Sequence, residues 1–124
     1  MKDVHLSEPF TMNMTDLINA HSLSSVAKTD GGWRFVFVLT KDITASVIMG
    51  DFAYSEPRQD CEYLNDYASA EVMFMTNFDH PYPDSFFGGR PELLKYFEDE
   101  KLAAYVPIHL LHAMFLNIKG EYNF

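Results

Sequence analysis

Two consecutive stretches of alternating side chains restrict this chain more than any other feature. From Trp33 to Thr40, Trp33, Phe35, Phe37 and Leu39 fall on one side of an extended backbone; Arg34, Val36, Val38 and Thr40 fall on the other. Directly afterwards, Ile43, Ala45, Val47 and Met49 alternate against Thr44, Ser46 and Ile48. β-Branched and aromatic residues at a period of two suit a pleated, half-buried surface. Only Lys41-Asp42 separates the two stretches. That connector is too short for a parallel crossover, so the pair is antiparallel. Tyr67 to Thr76 reads as a third strand, with Ala68, Ala70, Val72 and Phe74 alternating against Ser69, Glu71 and Met73. The face carrying Trp33, Phe35, Phe37 and Leu39 is the expected core side.

The flanking segments carry a period closer to 3.6. Met14 to His21 predicts a short helix with Met14, Leu17 and Ile18 on one face, capped by Asn13 or Thr15. Residues 23–29 either continue that helix or form a strand leading into the turn signal Asp30-Gly31-Gly32. Pro91 opens a helix, and Leu94, Phe97, Lys101 or Leu102, and Tyr105 extend it by spacing until Val106-Pro107 breaks it. Pro107 opens a last helix whose inward stripe is Ile108, Leu111, Phe115 and Ile118, with Gly120 as its stop. Leu110, Met114 and Leu116 make that helix apolar around most of its circumference, so residues 107–118 are either central to the core or a homodimer seam. Residues 55–66 are a helix capped by Ser55, with Cys61 and Leu64 inward, or a long loop. The expected fold is α+β. An antiparallel meander sheet of three to four strands carries an N-terminal helix and two C-terminal helices on one face, in a single domain over residues 1–124.

Composition narrows the function classes. One domain is the expected count for 124 residues, and 48% hydrophobic content excludes a disordered chain. Cys61 is the single cysteine, so no intrachain disulfide exists. No stretch reaches the ~18 apolar residues of a membrane span, and the first residues lack a signal-peptide core, so a cytoplasmic location is expected. A net charge of −9 argues against direct nucleic-acid binding and against an anionic membrane surface. The acidity is local: residues 51–84 hold eight acids against one base, Arg58.

No catalytic constellation stands out. His109 and His112 are three apart on the last helix, without the spacing or the neighbouring Glu of a helical zinc motif. Asp79 beside His80 reads as part of a proline-braced turn. Asp60 and Glu62 flank Cys61 and oppose the thiolate a nucleophile needs. Gly31-Gly32 and Gly88-Gly89 lack the lysine of a phosphate loop. No catalytic residue, metal or cofactor is assigned.

Two regions point instead to binding. Residues 77–90 lose periodicity and hold Phe78, Tyr82, Phe86 and Phe87 between prolines and glycines. Loops of that length are uncommon, and aromatic residues are the usual anchors of protein interfaces. Asp51, Glu56, Asp60, Glu62 and Asp66 form the acidic stretch before them. Acids that steer and aromatics that hold suit a basic protein surface. The expected function is a small inhibitor docking on a basic, nucleic-acid-binding surface of a partner. In bulk properties alone the chain resembles immunity proteins and phage anti-defence proteins. The alternatives are a small enzyme or ligand binder, with a pocket lined by Trp33, Phe35, Tyr105 and Met114, and a homo-oligomeric subunit.

Overall fold

Asn13 starts the first helix, α1 (Met14–Ala20), through a reciprocal cap: its side chain accepts from Asp16 N at 2.9 Å, and the Asp16 carboxylate accepts from Asn13 N at 3.1 Å. The structure is a computed structural model and describes residues 12–76, 81–97 and 101–120. His21 turns the chain into extended backbone, and five strands follow: β1 (Ser22–Thr29), β2 (Gly32–Val38), β3 (Thr44–Gly50), β4 (Ser69–Met75) and β5 (Leu102–Pro107). They lie in the order β1-β2-β3-β4-β5, each antiparallel to its neighbour.

The alternation read from the sequence sets the two faces. Phe35 and Phe37 of β2, Ala45, Val47 and Met49 of β3, and Ala70, Val72 and Phe74 of β4 are buried together on one side. Two short helices, α2 (Asp84–Phe87) and α3 (Pro91–Leu94), lie between β4 and β5, and α4 (Ile108–Lys119) follows β5. α4 lays Leu111, Met114 and Phe115 on the buried face, with the Phe115 ring 5.3 Å from Phe37 and 6.2 Å from Phe74. α1 adds Met14 and Leu17, and α2 adds Phe87, 5.6 Å from Phe74. Burying each such side chain contributes roughly 1.5–3 kcal/mol. Gly120, at φ 77, closes α4 in the left-handed conformation that a side chain would strain.

Three expectations are corrected or settled here. Residues 23–29 are strand β1, not more helix, and they hold the edge of the sheet. Residues 91–105 are not one helix: α3 is a single turn, and the chain returns as β5 against β4. The small, buried Ala103 and Val106 pack beside Val72 and Ala70, and Ala104 N donates to Tyr96 O at 2.9 Å. This pairing outweighs the helical propensity of Leu-Ala-Ala, as tertiary context often does. Residues 55–66 are a loop, with one 3-10 turn at Leu64–Asp66. Glu56 O accepts from Ala68 N at 2.7 Å, which holds this segment extended beside the start of β4. No helix among the described residues is long and apolar enough to cross a membrane.

Candidate functional site

Residues 51–68 join β3 to β4, a longer connection than compact domains usually carry. The chain leaves β3 at Gly50, whose φ of 142 suits glycine and whose N–H donates to Ser55 Oγ at 3.0 Å. Ser55 is buried, with its hydroxyl 3.1 Å from Pro57 O. Tyr67 braces the middle of the loop: its phenol donates to Gln59 O at 2.7 Å and accepts from Cys61 N at 2.8 Å. Burial, the largest cause, pushes the Tyr67 phenol's pKa up, so it serves as a neutral donor. Trp33 Nε1 reaches Cys61 O at 3.4 Å, and Lys28 pairs with Asp60 at 2.8 Å, tying the loop to β1 and β2. Asn65 Oδ1 accepts from Thr15 N at 3.1 Å, tying it to α1.

Outward, this braced loop shows acid and aromatic surface together. Asp51, Glu56, Asp60, Glu62 and Asp66 are all exposed. Between them stand Phe52, 81% exposed, and Tyr63, 65% exposed. Tyr54, near the edge of exposure, lies under the Arg58 guanidinium at 4.9 Å and donates its N–H to Glu71 Oε1 at 3.1 Å. Sequence reasoning marked the acids and missed Phe52 and Tyr63. Each is an isolated aromatic in a segment without period, and nothing local told it from a core residue.

The second region divides. Phe78, Asp79 and His80 lie outside the described residues. Tyr82 is 53% exposed, with Lys101 Nζ 4.9 Å from its ring centre. Phe86 is half-buried against Phe74, its carbonyl accepting from Asn117 Nδ2 at 2.8 Å. Phe87 is a core residue, 0% exposed between Phe74 and Phe97, and offers a partner no surface. Its placement with the contact residues is corrected on that ground.

The histidines pair in a way the spacing on α4 did not suggest. His112 meets His21, with Nδ1 and Nε2 2.8 Å apart, and Lys119 Nζ donates to His21 Nδ1 at 2.7 Å. An ammonium only donates, so His21 Nδ1 accepts and its proton sits on Nε2, aimed at His112 Nδ1. Burial, then Lys119, then His112 lower the His21 pKa to about 4. Among the described residues no three His, Cys, Asp or Glu side chains converge as metal ligands. Of the residues expected to line a pocket under the sheet, Phe35 and Met114 are core. A recess of about 200 Å³ shares only Trp33 with that expectation; Gly32, Gly50, Arg34, Ile48 and Phe52 line it at the end of the sheet.

No protein-family model, no curated protein and no solved structure matches the chain.

Proposed function

We propose that the chain is a protein-binding inhibitor that acts in the cytoplasm, and that its β3–β4 loop docks on a basic surface of the partner. One observation carries this reading: Phe52 and Tyr63 stand exposed among five exposed carboxylates on a loop braced from several elements. Hydrogen bonds from Tyr67 and Ser55 hold the loop in place before any encounter, which lowers the ordering entropy of binding. Carboxylates raise the encounter rate with a cationic patch; aromatic side chains lengthen the life of the complex. Proteins that bind phosphate backbones present such patches. Tyr82 is not part of this surface: Lys101, beside its ring, precedes Leu102 at the opposite end of β4 from the loop.

Affinity capture from native cells tests the reading, with the wild type and a Phe52→Ala/Tyr63→Ala variant as parallel baits. The reading expects a basic protein held by the wild type, released by salt, and held at least tenfold more weakly by the variant. Equal retention by both baits, or retention indifferent to salt, contradicts it.

A further inference from the structure

The second face of the sheet departs from the usual pattern. An antiparallel sheet covered on one side normally turns polar residues outward. Here Val36, Val38, Ile48, Met73 and Met75 alternate with the buried positions and so face away from the helices. Val38 is exposed and the other four are partly covered. Ser46, at the centre of this face, is buried among its neighbours, and its hydroxyl has no hydrogen-bond partner among the described residues. Among the described elements, every long helix packs on the opposite side. α4, by contrast, has no exposed residue, so among the described residues the larger uncovered apolar surface is the sheet.

The charges on this face are few and ordered. Register places Val36, Ser46 and Met73 in one cross-strand row, and Arg34, Ile48 and Glu71 in the next. Arg34 is exposed, with no ion-pair or hydrogen-bond partner for its side chain among the described residues. Glu71 uses Oε1 for Tyr54 N, which leaves Oε2 for a cation.

We propose that a second copy of the chain covers this face, in a two-fold sandwich about an axis parallel to β3. That rotation lays β3 over β3 and β2 over β4 without shifting the rows. Arg34 of each copy then lies opposite Glu71 of the other, on either side of an Ile48–Ile48 contact, and Val36 lies opposite Met73. The recess at Gly32 and Gly50 receives the side of the other copy that carries Tyr54 and Tyr105, whose rings are 5.8 Å apart. No other in-plane two-fold brings Arg34 onto Glu71, so the charge pattern selects both the occupant and the axis. Five strands spaced about 4.8 Å, each near seven residues at about 3.3 Å, give a face of roughly 500 Å². Two such faces bury roughly 1,000 Å², where specific interfaces begin. Both acidic loops then project from the same end of the dimer. Phe52 lines the recess, so the dimer engages that one loop residue, and a measurement made without any partner separates this proposal from the docking reading.

Sedimentation of the full chain from low to high micromolar concentration tests it without any partner. A monomer–dimer equilibrium is expected, and Met73→Lys should raise the dimer Kd about tenfold or more. Arg34→Glu and Glu71→Arg should each weaken the dimer, and the two together should restore most of it. Arg34 is exposed, so its variant tests the contact even if Met73→Lys misfolds; circular dichroism checks each fold. A monomer at every concentration overturns the proposal. So does a dimer that ignores these changes and dissociates instead on Val26→Lys at the β1 edge.

Discussion

His21 is the residue whose environment makes the sharpest physical statement. Its ring is edge-on to Phe115, with centroids 4.9 Å apart, and its two nitrogens meet Lys119 and His112 of α4. Burial, and after it the ammonium that a proton on Nδ1 would face, lower the pKa to about 4. The folded-state pKa of this base lies below its ordinary 6.5, so the unfolded chain takes up the proton first. Stability from this site is full above pH 6.5 and declines as the pH falls toward 4. The loss should be on the order of 1–3 kcal/mol, after discounting for partial solvation. Carboxylates titrate nearby, so the measurement is the difference between wild type and His21→Asn in urea denaturation across that range. The variant should flatten the profile. A Lys119→Met variant should move the His21 pKa upward by NMR titration; an unmoved pKa contradicts the assigned contact. None of this was legible in the sequence, where His21 and His112 are 91 residues apart and neither sits in a motif.

At the scale of elements, the junction of β3 with the acidic loop depends on glycine. Gly50 has φ 142, and a Cβ on it would lie 2.6 Å from Gly32 Cα across the strand pair. Gly50→Ala should therefore cost about 2 kcal/mol or more, read as a lowered urea midpoint with unchanged slope. A loss below about 0.5 kcal/mol contradicts the close packing of β2 on β3. The same strands show which parts of the fold the sequence carried. β2, β3 and β4 were legible because one face is buried and the other is not, so period two is written into their residues. α1 was legible from Asn13 and its apolar positions, and α4 from Pro107 and Gly120. β1 stayed open between helix and strand, because its residues are mostly exposed at an edge and carry no alternation. β5 was not legible, because Leu-Ala-Ala-Tyr-Val is short, alanine-rich and bulged, with Tyr105 at φ 54. Its strand character comes from pairing with β4, a long-range contact with no local signature.

For the whole molecule, charge and apolar surface are sorted to different places. The carboxylates gather on residues 51–66 beyond one end of the sheet, while the outward sheet face balances Arg34 against Glu71. The acids of the candidate site were legible because charge can be counted locally. The proposed aromatic anchors were not: exposure depends on the loop's path, which put Phe52 and Tyr63 outside and Phe87 in the core. On the proposed function, steering and holding are separate jobs of this one loop. Association and dissociation rates with the captured basic partner, measured across ionic strength, test it most directly. Asp51, Glu62 and Asp66 changed together to Asn, Gln and Asn should slow association and flatten its salt dependence, with dissociation nearly unchanged. Phe52→Ala should do the reverse, speeding dissociation at an unchanged association rate. If the charge variant associates as fast as the wild type at low salt, the loop does not steer the encounter, and the claim fails.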